Sequence, residues 1–213
     1  MYNPQYFNIS DKEELINMIE RNPFGSLITI QNGQLEADHI PFIIDRNNDG
    51  NINLLAHVAR ANPVWKNVRN LEQVMILFKG EDGYISPNWY PGKKENENQV
   101  PTWNYQVVNI HGKIEIIDEV KFVRGVVARL TNFHEASEPK PWKMSDSEKE
   151  FIDENLKQIV GIKILVEKME GKYKLSQNRN QRDFTGAAEG LLKKGKTGLY
   201  KAMKSMLKKM NSN

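Results

Sequence analysis

The chain has 213 residues, 39% of them hydrophobic and 27% charged, with a formal net charge of +3. That is enough apolar material for a sizeable core, and too small a net charge to argue for nucleic acid by itself. There is no cysteine, which excludes disulfides, thiolate metal sites and a cysteine nucleophile. No apolar run approaches the roughly 18 residues of a membrane span. The polar and aromatic start, Met1 to Ile9, does not read as a signal peptide. A cytoplasmic protein without membrane contact is expected.

In chain order, Ser10-Asp11-Lys12-Glu13 reads as a capping box. Leu15, Ile16, Met18 and Ile19 follow as an apolar helix face, ended by Asn22-Pro23. A strand over Phe24 to Ile30 leads into a hairpin turn at Asn32-Gly33. A second strand covers Leu35 to Ile44, and a polar turn runs from Asp45 to Gly50. The third strand, Asn51 to Val58, ends at His57-Val58-Ala59-Arg60-Ala61-Asn62-Pro63-Val64-Trp65. Asn62 is placed as an N-cap and Pro63 at the first position of a helix to Asn70. A helix N-terminus beside an arginine is a ready anion site, because free N–H groups and a guanidinium converge there.

A fourth strand is Gln73 to Phe78, and Tyr84 to Pro87 is another extended piece. Pro91 to Gln99 is loop. Thr102 to Ile117 is a long strand with a bend at His111-Gly112. Alternation puts Trp103 and Tyr105 on one face, ordinarily the core face, and Asn104 on the other. Asp118 to Phe133 is helical, with Val120, Val123, Val127 and Leu130 aligned. A second helix covers Asp146 to Gln158, and a last main strand Ile159 to Met169, followed by Lys174 to Arg179.

The remainder is helical and basic: seven lysines and no acid lie between Leu191 and Asn213. Leu199, Met203, Met206 and Met210 share one helical stripe, with lysines on another face. Such a helix can dock through its stripe, meet DNA, or meet an anionic membrane or partner. Lysine–phosphate contacts alone give affinity without sequence selectivity. Short strands joined by hairpins and short helices favour a mainly β architecture with α elements, a small antiparallel barrel with peripheral helices. The division expected is a barrel domain over 1–190 and a basic amphipathic helix over 191–213. The four histidines (39, 57, 111, 134) show no metal-ligand spacing, and no Gly-rich phosphate loop occurs.

Four segments carry a resemblance: His57-x-x-Arg60-Ala61-Asn62-Pro63-x-Trp65; Tyr84-Ile85-Ser86-Pro87-x-Trp89-Tyr90; Val100-Pro101-Thr102-Trp103-Asn104-Tyr105; and Lys174-Leu175-Ser176-Gln177-Asn178-Arg179. Together they resemble the PaiB family, described as FMN-binding negative transcriptional regulators. The resemblance covers about residues 1 to 190. It implies an antiparallel split β-barrel of the FMN-binding type and a homodimer with FMN at the subunit interface. It also implies His57, Val58 and Ala59 along the isoalloxazine, Arg60 and Asn62 facing the phosphate or ribityl chain, and Trp103, Lys174 and Gln177 as further contacts. Lys174 and Gln177 would be supplied late in the chain, across the dimer.

The family approaches its Tyr-Ile-Ser-Pro motif through a Gly-Pro-His-like segment. This chain has Gly80-Glu81-Asp82-Gly83, which sets acid near the expected pocket mouth. A regulatory role would act on DNA directly or through a partner. A flavin-dependent oxidoreductase (a flavin reductase or an oxidase-like enzyme) and a haem-binding or haem-degrading split barrel are the alternatives, since this fold hosts all three.

Overall fold

A computed structural model describes residues 1–47 and 49–212, the side chain of Ser212 excepted. Two expected features, the turn at 45–50 and the tail to 213, run onto Asn48 and Asn213, outside the described residues. Eight strands and six α-helices make up the described chain, in the order β1 (Asn8–Ile9), α1 (Lys12–Arg21), β2 (Phe24–Gln31), β3 (Gln34–Pro41), β4 (Ile43–Arg46), β5 (Ile52–Ala59), α2 (Val64–Asn67), β6 (Gln73–Ile85), β7 (Thr102–Ile117), α3 (Val120–Glu135), α4 (Lys149–Leu156), β8 (Ile159–Lys174), α5 (Gln181–Lys193) and α6 (Thr197–Ser212). The sheet runs β3-β2-β6-β7-β8-β5-β4, with β1 added to β8. The pairs whose register is resolved are all antiparallel. The fold is mainly β, an antiparallel split barrel whose sheet stays open, with helices around it.

The chain divides into two compact units. One holds residues 20–78 and 109–169, the other residues 1–19, 79–108 and 170 onward. In the first, β2 and β3 form a hairpin whose turn residues Asn32 and Gly33 have φ of 51° and 78°. Two successive positive φ values make the turn whose twist suits a two-residue hairpin. The strand expected over 35–44 is broken at Phe42, which leaves the pairing to bury its ring edge-on to Phe78, centroids 5.7 Å apart. The mostly apolar run Ile52–Ala56, Asn53 included, is buried throughout, as befits a strand flanked on both sides by neighbours. Helix α3 seats Val126 and Leu130 on Leu55, and Val123 packs with Ile152 and Leu156 of α4.

In the other unit, α1 is capped by Asp11, whose Oδ1 accepts from the N–H groups of Glu13 and Glu14. The cap is therefore Asp11, one residue later than a Ser10 capping box. Two helices, 181–193 and 197–212, occupy the C-terminal region, separated at Gly195 with φ 73°. Leu199 and Met203 are fully buried and Met206 nearly so, whereas Met210 is 40% exposed. Lys209 of α6 pairs with Glu14 at 2.6 Å. No helix among the described residues is long and apolar enough to cross a membrane.

Candidate functional site

Each unit carries one group of the residues singled out in the sequence. In the first, His57, Val58 and Ala59 form the end of β5. On the β8 side the pairing continues through Ala59 opposite Ile159. On the β4 side it stops at Leu55 opposite Ile43. Among the described residues β4 offers no partner beyond Ile43, and β3 comes close to β5 instead. At this strand end the His57 Nδ1 is buried with no hydrogen-bond partner among the described residues. Burial lowers the His57 pKa below its ordinary 6.5, because a desolvated imidazole resists protonation. A strand end beyond its last β4 partner, with an imidazole nitrogen unsatisfied among the described residues, suits a flat heterocycle rimmed by donors and acceptors.

Arg60 lies just beyond and is already heavily engaged. Nη1 donates to Asp118 Oδ2 at 2.8 Å and Nη2 to Asp118 Oδ1 at 2.5 Å, while Nε donates to the Lys157 carbonyl at 2.6 Å. The paired guanidinium holds the Asp118 carboxyl below the usual carboxylate range. The Arg60 carbonyl accepts from Trp65 Nε1 at 3.0 Å, so the arginine also fixes the tryptophan. Asn62 Nδ2 donates to Asp38 Oδ1 at 2.6 Å, and its Oδ1 accepts from Val64 N at 2.9 Å.

The expected helix from Pro63 to Asn70 is only Val64–Asn67. The helix extent is corrected, and the anion site expected at its N-terminus has only one turn behind it. A single turn sums too few peptide dipoles to attract an anion, and the Asn62 side chain already takes one of its free N–H groups. Asn62 borders a cavity of about 490 Å³ that also presents Gln31, Gln34, Glu36, Asp38 and Asn67. Its two carboxylates and lack of lysine or arginine make it a poor seat for a dianion.

In the other unit, the Thr102–Tyr105 and Lys174–Arg179 motifs meet. Lys174 Nζ donates to Thr102 Oγ1 and to the Trp103 carbonyl, each at 2.5 Å. Asn104 Nδ2 donates to Ser176 Oγ at 2.9 Å and contacts Met203 Sδ at 3.4 Å. Gln177 folds back on its own loop: Nε2 donates to the Tyr173 carbonyl at 2.6 Å, and Oε1 accepts from Leu175 N at 2.7 Å. The face assignment on β7 is corrected here. Asn104 is the fully buried member, and Trp103 is 55% exposed, edge-on to Tyr84. The inward asparagine is accounted for by Ser176, which stands at φ 70° and needs a fixed partner to stay there.

Glu81 and Asp82 are each placed against groups of their own unit. Asp82 pairs with Lys79, and the Glu81 carboxylate fills the space that a Cβ on Gly198 would take. That places it against the first turn of α6, where free N–H groups favour negative charge.

The sequence reading missed Lys172 and the acids Asp118 and Asp38. Lys172 is only 8% exposed. Its signal was available, because residues two apart on a strand share a face, which puts Lys172 beside Lys174. The acids gave no local signal, since Asp118 lies 58 positions and Asp38 24 positions from their partners.

Residues 1–168 match a protein-family model described as "Putative FMN-binding domain". The chain is 35% identical over 193 residues to "Protease synthase and sporulation protein PAI 2" of Bacillus subtilis, covering 90% of this chain and 89% of that one. It is 30% identical to an uncharacterized protein of Emericella nidulans, covering 83% and 84%. Among solved structures, a conserved hypothetical protein of Mycobacterium tuberculosis aligns with TM-score 0.60 at 15% identity, over 85% of this chain and 95% of that one. The flavocytochrome Anf3 of Azotobacter vinelandii aligns with TM-score 0.58 at 12% identity, over 84% and 75%. On the breadth of the family match and the identity to the Bacillus protein, this chain belongs to the PaiB family of FMN-binding split-barrel proteins.

Proposed function

We propose that the chain acts in the cytoplasm as a flavin-responsive regulatory homodimer whose FMN lies along the β5 edge. The observation that carries the site is the β5 end beyond its last β4 partner, where His57 Nδ1 is buried and unsatisfied among the described residues. Backbone groups of His57, Val58 and Ala59 meet the polar rim of the isoalloxazine, and His57 Nδ1 gains the hydrogen bond it lacks. Asn62 faces the ribityl hydroxyls. Arg60 turns from Asp118 to the phosphate, exchanging one oxyanion for another in the same fork. Trp103, Lys174 and Gln177 come from the other protomer, which offers an exposed indole and an ammonium held by the oxygens of Thr102 and Trp103.

FMN supplies reversible redox chemistry when bound. In this reading the residues around it bind, orient and report its state, and the dimer acts on transcription by contacting DNA directly or through a partner. The name of the Bacillus relative supports a regulatory role over a metabolic one.

The test is titration of the purified protein with FMN, read by absorbance and flavin fluorescence, beside measurement of oligomeric state. One FMN per chain in a dimer is expected, with affinity reduced about tenfold or more in Arg60→Ala, the scale of a lost charge-assisted hydrogen bond. Asp118→Asn should instead tighten binding by freeing the fork. No saturable FMN binding by a folded protein refutes the site.

A further inference from the structure

The end of β6, the turn after it and the corner between α5 and α6 enclose a cavity of about 230 Å³, lined by Tyr84, Trp89, Leu191, Lys194 and Lys196. All five belong to one unit. Its walls are held in place. Gly190 lets the Trp89 indole lie directly against α5, where any Cβ would collide with it. A Cβ on Gly83 would stand 3.1 Å from Leu191 Cδ2 and 4.0 Å from Lys196 Cγ, so the leucine and the lysine stem cover the same stretch of β6. Tyr84 is 46% exposed and edge-on to Trp103 at 6.1 Å.

Lys196 is the residue that local structure does not explain. Helix α5 ends in a Schellman motif: the Lys196 N–H donates to the Leu191 carbonyl and the Gly195 N–H to that of Leu192, each at 3.0 Å, with Gly195 at φ 73°. In that motif the position filled by Lys196 commonly carries an apolar residue, packed on the one at Leu191. Lys196 also directly precedes α6, whose free N–H groups favour acids over bases. Local preference thus speaks twice against a lysine here. Lys194, by contrast, suits the negative end of α5.

Neither lysine forms an ion pair among the described residues. The acids of this corner are otherwise engaged: the Glu81 carboxylate is seated against Gly198, and Asp82 pairs with Lys79. Glu189 of α5 stands two residues from Leu191, a spacing that turns it to a different face. Both lysines are exposed. A lysine lays its stem along apolar walls and keeps its ammonium in water, which gives the aromatic slot a cationic mouth. Breaches of local preference of this kind concentrate at functional sites.

We infer that this cavity binds a small aromatic carboxylate, with its ring against Tyr84 and Trp89 and its carboxylate on Lys196. Two aromatic walls favour a ring in edge-on or offset packing. The volume lies below the roughly 300–1,000 Å³ of drug-sized sites, so it takes a single ring and not a tricyclic flavin. The slot is separate from the β5 site and rests on no part of the flavin reading.

The test titrates the full chain calorimetrically with sodium benzoate, with benzamide and acetate as the uncharged and ringless controls. Lys196→Met keeps the stem and removes the charge, and Tyr84→Ala removes an exposed ring; circular dichroism checks that both fold. Saturable benzoate binding is expected, with each control bound about fivefold or more weakly, the scale of a partly screened charge pair. Lys196→Met should weaken benzoate about fivefold and leave benzamide unchanged, whereas Tyr84→Ala should weaken both. Unchanged benzoate affinity in the presence of FMN supports a separate slot, and displacement by FMN overturns it. Benzoate binding with no FMN binding sinks the flavin reading and leaves the slot standing. Absence of saturable benzoate binding by the parent overturns the inference, as does equal binding in a folded Lys196→Met protein.

Discussion

Replacing Asn104 tests whether two distant motifs act as one structural unit. Its amide is fully buried and is the described side-chain partner of the Ser176 hydroxyl, accepting as well as donating: Ser176 Oγ lies 3.3 Å from Asn104 Oδ1 and 2.9 Å from Nδ2. Asn104→Ala strands that hydroxyl, which is worth about 1–3 kcal/mol for an unsatisfied buried group. It also leaves a small void beside Met203, worth about another 1 kcal/mol by the cost of residual cavity volume. The sum is about 2–4 kcal/mol, or a fall in Tm of about 5–15 °C at this chain length. Ser176→Ala removes the same bond from the other side. If the pair is the contact that matters, the double variant should lose about 1–2 kcal/mol less than the two single variants added together. Urea unfolding of the four proteins provides the cycle. A coupling below about 0.3 kcal/mol would refute the argument that Asn104 holds the 174–179 loop, and with it the account of why a polar residue faces inward on β7.

Acidification should destabilise the protein through His57. Its folded pKa lies below 6.5, so between that lowered value and 6.5 the unfolded chain binds more protons. Stability is therefore lost as pH falls through that window. Thermal unfolding at about pH 7.5 and about pH 5 should show a smaller drop in His57→Gln than in the parent, and equal drops would remove His57 as the cause. On α5, Gly186 and Gly190 let Trp89 and Pro91 approach, and a Cβ on Gly190 would collide with the indole. Gly190→Ala is expected to cost about 1–3 kcal/mol of overpacking despite its better helix propensity, and an unchanged Tm would show that Trp89 moves aside freely. Substituting Asp118→Asn should raise FMN affinity several-fold (roughly, from removing a competing oxyanion) while Arg60→Ala lowers it. Parallel losses in both would mean that the pair acts only as a staple between 60 and 118.

Much of this chain could be read along its length. The hairpin at Asn32-Gly33 follows from two residues that tolerate positive φ. The Thr102–Ile117 strand and the apolar stripe of Leu199, Met203 and Met206 follow from periodicity alone, because a side chain's face is set by its place in a local repeat. The four motifs likewise sufficed to identify the family. Their physical meaning was not local. That Asn104 turns inward, and Trp103 outward, depends on a serine held at φ 70° some 72 positions away. That Arg60 comes with a carboxylate depends on Asp118, and the helix that was to supply an anion site lasts one turn. Lys172 was passed over because an isolated lysine reads as solvated surface. Only folding buries it beside Lys174 and the ring of Tyr105. Composition and spacing determined the strands, the turns and the family. The counter-charges were decided by tertiary structure, because electrostatic partners are chosen through space and leave no period in the sequence.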